Sequence, residues 1–191
     1  DVVITCLPTS AEVAALLDGA DGLLAGLAPG TLFLDCTSGD PAGSLRIAAR
    51  LAEQQVAFAD APVSGGTNGA ESGTLTVMVG GTAEVFERAR PILAAFGKRI
   101  EHMGPVGTGD AMKAVNNALL ALNILAVGAG LAALVKSGVP ARVAVAVLNA
   151  ASGRSLVRQH LVPDRMLLCA GSYPSTPALR PNRASLPAVF P

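Results

Sequence analysis

Short apolar runs alternate with stretches of helical periodicity along the first part of the chain. Residues 2–7, 31–36 and 56–60 form apolar runs of strand length. Helical spacing follows the first two runs, with Ser10 and Asp40 as the predicted N-caps. Strands separated by helices of this length pair in parallel through right-handed crossovers. The first part of the chain is therefore predicted to be α/β, with a doubly wound sheet.

The pattern changes after residue 60. Residues 75–79 alternate like a strand, a helix follows from Ala83, and residues 99–103 form another short strand. From there on the periodicity is helical, with a long apolar helix over 111–136 and a second helix that opens at Pro140. An all-α part is therefore predicted to follow the α/β part.

The domain boundary is predicted near Gly107. Residues 1–107 form the expected α/β domain, and residues 108–170 form an all-α domain whose third helix begins at Ser152. Five prolines punctuate residues 171–191, so this tail is predicted to be mostly loop or disordered.

Composition excludes several classes of protein. With 191 residues, 51% of them apolar, the chain can bury a hydrophobic core, and a formal net charge of +0 argues against nucleic acid as a partner. Cys6, Cys36 and Cys169 lie far apart, which favours a reducing compartment and gives no metal-binding spacing. The expected location is cytoplasmic, and no metal site is predicted.

The uncharged stretch 114–135 is long enough to cross a bilayer and is flanked by Lys113 and Lys136. Its three asparagines are unfavourable in lipid without partners, and the α/β pattern before it indicates a soluble domain that would bury the helix. A buried helix, inside a domain or in a dimer interface, is therefore favoured over a membrane span.

The start of the long helix carries the first candidate site. Glycines 107 and 109 lead into a helix on which Lys113, Asn116 and Asn117 share one face. Spacing alone fits an ordinary helix start with a solvated lysine. The helix is otherwise apolar, however, so Lys113 is expected to be partly desolvated, which lowers a lysine pKa toward the range of proton exchange.

The end of the third strand carries the second candidate site. Asp60 ends the strand, and Ser64, Gly65 and Gly66 follow in the next loop. Glycines let backbone N–H groups approach an anion closely, and parallel sheets bind ligands at the carboxyl ends of their strands. A carboxylate or phosphate would fit there, although a plain turn has the same sequence. Ser64 lacks the surroundings of a nucleophilic serine.

Together, residues 60–66 and 107–117 resemble the substrate loop and the catalytic helix start of the β-hydroxyacid dehydrogenase family, which includes 3-hydroxyisobutyrate dehydrogenases. The resemblance runs from residue 1 to about residue 168. It implies Lys113 as general acid/base and Asn117 as a substrate hydrogen-bonding residue. It also implies that Ser64, Gly65 and Gly66 cradle the substrate carboxylate.

The same resemblance implies a cofactor and a reaction. Leu7, Pro8 and Ser38 match positions that line the nicotinamide in the family, so NAD or NADP is the expected cofactor. The implied reaction interconverts a small 3-hydroxy acid and its semialdehyde or keto form. The full-length parent is expected to be a homo-oligomer. Which 3-hydroxy acid it uses, and whether it uses NAD or NADP, stay open.

The sequence departs from the family pattern at both ends. No Gly-x-Gly-x-x-Gly turn is found, and residue 1 already lies in a strand-like run. We therefore expect the C-terminal half of a Rossmann-type domain followed by an incomplete helical domain. A non-catalytic binding or dimerisation module of the same fold is the alternative hypothesis.

Overall fold

The structure of the protein is a computed structural model that describes residues 1–151. The predicted helix from Ser152, the rest of the all-α region to residue 170 and the predicted tail at 171–191 lie outside the described residues.

Strands and helices alternate through the described residues. The strands are β1 (Val2–Thr5), β2 (Leu32–Asp35), β3 (Ala57–Asp60), β4 (Val63–Ser64), β5 (Leu75–Gly80) and β6 (Gly97–Gly104). The helices are α1 (Ser10–Leu17), α2 (Leu23–Gly26), α3 (Pro41–Ala52), α4 (Gly66–Glu71), α5 (Ala83–Leu93), α6 (Thr108–Lys136) and α7 (Ala141–Ala150).

The six strands form one sheet in which β1, β2 and β3 are neighbours and all parallel. β6 is also parallel to its neighbour β5. The predicted α/β fold class is thereby confirmed. The antiparallel pairing of β5 with both β3 and β4 was not predicted. The chain between β3 and β5 contains β4 and the six-residue α4, and because β4 itself pairs with β5, the chain reverses direction here instead of crossing over the sheet.

Successive side chains of β2 point to opposite faces of the sheet, and this explains why helices cover both faces. Phe33 is fully buried against α1 and α3, where it packs with Val13 and Ile47. Its neighbours Leu32 and Leu34 point to the other face and pack in the cluster that contains α5. Both faces of β2 are therefore core, as the continuous apolar run predicts for a doubly wound sheet.

Two N-caps were predicted, and one of them is correct. Asp40 caps α3 by accepting a hydrogen bond from the Gly43 N–H at 2.7 Å. The cap of α1 is Thr9 and not Ser10, because Ser10 already lies in the helix. The Ser10 hydroxyl oxygen instead accepts a hydrogen bond from the Asp40 N–H at 2.9 Å, which joins the starts of α1 and α3.

The long helix α6 runs through 29 residues, and the chain divides within it into two compact units, Asp1–Leu120 and the part from Ala121 onward. Gly107 lies one residue before α6, and the domain boundary predicted there stays a prediction. In the second unit Leu131 of α6 packs with α7, which begins one residue after Pro140.

The sequence predicts a buried α6, inside a domain or in a dimer interface, and the described residues leave it mostly exposed, so burial in a dimer interface stays a prediction. Only 6% of its most apolar stretch is buried. Among residues 1–151 it is the one helix that is long and apolar enough to span a membrane. Large apolar side chains are exposed along it at Met112, Val115, Leu119, Leu120, Leu122 and Leu125.

Helix α3 offers a matched test of the core. Ile47 is 1% exposed within the cluster around Phe33, whereas Leu45 on the same helix is 55% exposed. Ile47→Ala is expected to lower the free energy of unfolding by about 2–5 kcal/mol, because it removes buried methyl groups and leaves a cavity. Leu45→Ala is expected to change it by about 0.5 kcal/mol or less. Urea unfolding of both variants checks this packing, and equal losses would contradict it.

Candidate active site

The carboxyl ends of β1, β2 and β3 lie at one edge of the sheet, because these strands are parallel and in register. The loop after β1 carries Leu7 and Pro8, and the loop after β2 carries Ser38. The Leu7 N–H donates to the Thr37 hydroxyl oxygen at 3.0 Å, which ties the two loops together. Pro8 and Ser38 are exposed and Leu7 is half-buried, so this edge presents them to solvent.

The predicted substrate loop leaves the same edge after β3. Ser64 ends β4, where it pairs with Thr76 of β5 and is half-buried. Gly65 and Gly66 follow with φ values of 140° and 63°, a region that side chains rarely allow. A Cβ at Gly65 would also lie 3.0 Å from the Leu75 Cδ2 atom. Both glycines are exposed, so their backbone is accessible to a ligand.

Asp60 joins this loop to the start of α6. Its Oδ1 accepts a hydrogen bond from the Gly107 N–H at 2.7 Å, and its Oδ2 accepts one from the Asp110 N–H at 3.0 Å. A carboxylate from a neighbouring strand thus satisfies the free N–H groups of a helix N-terminus. A Cβ at Gly109 would lie 2.3 Å from the Met78 carbonyl oxygen, so only glycine permits this approach. Burial raises the pKa of Asp60, although its backbone hydrogen bonds oppose the shift.

Asp110 joins the start of α6 to the loop after β2. Its Oδ1 accepts a hydrogen bond from the Gly39 N–H at 3.2 Å, and its Oδ2 accepts one from the Ser44 hydroxyl at 2.5 Å. Burial raises the pKa of Asp110 to about 6, and the nearby carboxylates of Asp60 and Asp35 contribute to the shift. Asp110 lies within the helix start at 107–117 that the sequence singles out, but neither Asp110 nor Ser44 was predicted as a site residue.

Lys113 lies one helical turn beyond Asp110 on α6. It is half-buried, and burial lowers the pKa of its amine. The expected partial desolvation is thereby confirmed. Asn117, one turn further along, is exposed, and its side-chain oxygen accepts a hydrogen bond from the Asn116 amide at 3.3 Å. The helix start therefore presents a partly desolvated amine followed by a pair of amides.

The three groups of predicted site residues are attached to one hydrogen-bonded network. The substrate loop begins four residues after Asp60, and Lys113 comes three residues after Asp110. Ser38 is the chain neighbour of Gly39, which donates to Asp110. Among residues 1–151, no three metal-ligating side chains cluster together. The roles of these residues in ligand binding and proton transfer stay predictions.

Comparison with known families shows to which family the chain belongs. The family model described as the NAD binding domain of 6-phosphogluconate dehydrogenase matches residues 1–104, more than half of the chain. The chain belongs to the β-hydroxyacid dehydrogenase family. A second model, described as the NAD-binding region of NADP-dependent 3-hydroxyisobutyrate dehydrogenase, matches residues 107–180. Both descriptions agree with the expected cofactor class, NAD or NADP.

Individual members of the β-hydroxyacid dehydrogenase family are similar over most of the chain. An NAD-dependent L-serine dehydrogenase of Pseudomonas aeruginosa is 46% identical over 153 residues, which are 80% of this chain and 51% of the relative. Human mitochondrial 3-hydroxyisobutyrate dehydrogenase is 38% identical over 154 residues, or 81% of this chain and 46% of the relative. The chain spans about half the length of the curated relatives it matches. Because one relative is mitochondrial, the cytoplasmic location stays a prediction.

A solved structure of the family gives the same picture. Mycobacterium tuberculosis 3-hydroxyisobutyrate dehydrogenase, determined with L-serine, is 35% identical and superposes with a TM-score of 0.75. The match covers 84% of this chain and 54% of that protein. The alternating strand and helix order of the described residues is thus the order of a β-hydroxyacid dehydrogenase.

The raised pKa of Asp110 predicts how stability depends on pH. Because the folded pKa of about 6 exceeds the ordinary value of 3.8, the native state binds this proton more tightly than the unfolded state. The contribution of Asp110 to the free energy of unfolding therefore falls as the pH rises from about 4 to about 6. Asp110→Asn removes this titration. Its free energy of unfolding is therefore expected to increase by about 1–2 kcal/mol relative to that of the wild type as the pH rises from about 4 to about 6, after allowance for solvent screening.

Urea unfolding at several pH values from about 4 to about 7 measures this difference. The exposed Glu53→Gln variant is the control, because it removes one carboxylate from the surface of the same unit. A stability difference between Asp110→Asn and wild type that is the same at every pH would show that the carboxylate does not titrate as described.

Proposed function

We propose that the protein is an NAD(P)-dependent oxidoreductase that interconverts a small 3-hydroxy acid and its semialdehyde or keto form. The observation that carries the proposal is the half-buried amine of Lys113, whose pKa is lowered by burial, on a helix start that Asp60 attaches to the glycine loop. The named activities of the similar proteins, which act on L-serine and 3-hydroxyisobutyrate, support it.

Lys113 is the general acid/base of the proposed reaction. In its neutral form the amine accepts the proton of the substrate hydroxyl while the carbinol carbon is oxidised, and in the reverse direction the ammonium returns that proton. NAD(P)⁺, when bound, supplies the hydride acceptor. A fully solvated lysine is almost wholly charged at neutral pH, so the burial that lowers its pKa raises the share of the reactive form.

Ser64, Gly65 and Gly66 are the proposed binding site for the substrate carboxylate. The Ser64 hydroxyl and the backbone N–H groups of the two exposed glycines are hydrogen-bond donors, and the missing Cβ atoms let an anion come close. Asn117 is the proposed hydrogen-bonding partner of the substrate on α6. A carboxylate held by these donors would orient the hydroxyl that Lys113 deprotonates.

Leu7, Pro8 and Ser38 are the proposed contacts of the nicotinamide. They fit this group because the two apolar residues offer a surface for a planar ring and the exposed Ser38 hydroxyl offers a hydrogen bond. They also lie at the carboxyl ends of neighbouring parallel strands, where doubly wound sheets bind nucleotides.

A dimerisation module of the same fold is the second candidate function. It is favoured by the large apolar side chains that α6 exposes within the described residues, since soluble monomers seldom leave contiguous apolar patches uncovered. This candidate predicts a stable dimer without turnover, and the dehydrogenase predicts turnover whatever the oligomeric state. Sedimentation analysis together with an NADH absorbance assay separates the two.

Lys113→Ala is expected to lower kcat for oxidation of the hydroxy acid by about 10²–10⁴-fold, because proton transfer loses its acceptor. Lys113→Arg is the matched control. It keeps the positive charge and much of the length, but its guanidinium does not deprotonate, so it is expected to be about as inactive as the alanine variant. Stopped-flow or steady-state absorbance of NADH with L-serine or 3-hydroxyisobutyrate measures both.

In the wild type, the rate of oxidation is expected to rise with pH as Lys113 loses its proton, with a midpoint below the ordinary lysine pKa of 10.5. Substantial turnover by Lys113→Arg would show that a different group accepts the proton.

Gly65→Ala tests the substrate loop. At φ 140° an alanine strains the backbone by about 1–3 kcal/mol, so the loop is expected to shift and the KM for the hydroxy acid to rise about tenfold or more. Gly26→Ala is the control, because a Cβ at Gly26 meets no atom within 4 Å and no strained φ. An unchanged KM in Gly65→Ala would show that the loop does not bind the substrate carboxylate.

A further inference from the structure

We propose that Asp110 is a positioning residue that ties the loop after β2 to the first turn of α6, and so fixes the nicotinamide-side Ser38 relative to Lys113. The inference rests on the proposed function, because it concerns the alignment of the two groups that take part in that reaction. Asp110 is not proposed to touch substrate or cofactor.

Asp110 is buried and hydrogen-bonded to residues from other parts of the chain. The residue is 1% exposed, and each of its polar groups has a partner from a different place in the chain. Its N–H donates to Asp60 at the end of β3. Its two carboxylate oxygens accept from the Gly39 N–H and from the Ser44 hydroxyl, which lie 71 and 66 residues away in the chain. Asp110 is therefore where three separate segments of the first unit meet.

The backbone at Gly39 lies in close contact with the Asp110 carboxylate. A Cβ at this position would lie 2.4 Å from the Ser10 Oγ atom and 3.2 Å from the Asp110 Oδ2 atom. The backbone of the loop after β2 thus lies directly against the carboxylate, with no side chain between them. Because Ser38 precedes Gly39, a displacement at the Asp110 carboxylate is passed to Ser38 through a single peptide unit.

The two hydrogen-bond partners of the Asp110 carboxylate belong to different elements. Ser44 lies in the first turn of α3, so its hydrogen bond fixes that helix. Gly39 lies in the loop itself, so its hydrogen bond fixes the residues next to the proposed nicotinamide contact. The substrate loop does not depend on the Asp110 carboxylate, because Asp110 is bonded to Asp60 only through its backbone N–H and β4 is held by its pairing with β5. Loss of the Gly39 bond is therefore expected to affect the dinucleotide more than the hydroxy acid.

The experiment compares Asp110→Ala, Asp110→Asn and Ser44→Ala in the full-length protein. Asp110→Ala is expected to raise the KM for NAD(P) about tenfold, the effect of one lost hydrogen bond, while the KM for the hydroxy acid stays within about twofold. Asp110→Asn keeps an oxygen that accepts from Gly39, so it is expected to restore the KM for NAD(P) to within about threefold of wild type. Ser44→Ala retains the hydrogen bond from Gly39 to Asp110, so its KM for NAD(P) is expected to stay within about twofold of wild type.

A second measurement tests the hydrogen bond between Gly39 and Asp110 without requiring turnover. Hydrogen exchange of the Gly39 amide, followed by NMR in the absence of cofactor, is expected to be slow in wild type, Asp110→Asn and Ser44→Ala, and fast in Asp110→Ala. Should Asp110→Ala not fold, Asp110→Ser takes its place, because its side chain is too short to reach Gly39.

Two results would overturn the proposal. One is an equally protected Gly39 amide in wild type and in the alanine or serine variant. The other is an equal rise in the KM for NAD(P) in Asp110→Ala and Ser44→Ala, which would indicate general loosening of the fold. Absence of turnover in the wild type would refute the proposed function. Hydrogen exchange of the Gly39 amide would still show whether Asp110 holds the loop after β2.

Discussion

The hydrogen bonds between the buried carboxylate of Asp60 and the N-terminus of α6 are the interaction on which the rest of the site depends. A helix start leaves several N–H groups without partners, and here one acidic side chain from β3 accepts from two of them. The close approach needs glycine at position 109, because the Met78 carbonyl fills the space of a side chain. This contact between strand and helix gives Lys113 a defined place at the edge of the sheet.

Much of the fold could be predicted from local pattern. The apolar runs at β1, β2 and β3 and the Asp40-Pro41 helix start encode their structures within a few residues, and the structure has them where the pattern indicates. The antiparallel pairing of β5 could not be predicted in this way, since it depends on a long-range contact between Asp60 and Gly80. The cap of α1 was misassigned because Thr9 and Ser10 are both good caps, and the tertiary bond from Ser10 to Asp40 decides between them.

The candidate site likewise contains some residues that the local sequence reveals and others that depend on long-range contacts. Lys113 and the Ser64–Gly66 loop stand out in the sequence because an amine in an apolar helix and paired glycines after a strand are locally unusual. Asp110 gives only a weak signal, an acidic residue in the first turn of a helix, which is common on any surface. Its bonds to Gly39 and Ser44 span 71 and 66 residues, so no local pattern could reveal them. The roles of all these residues in catalysis stay predictions.

The shared attachment to Asp60 has a consequence for thermal motion. One short stretch of chain leads from Asp60 to the loop at Ser64–Gly66, and one helical turn leads from its partner Asp110 to Lys113. A displacement at the end of β3 is therefore expected to move both groups together. Their separation would then vary less than if each group were attached to its own strand, and the distance across a small ligand bound between them would stay nearly constant.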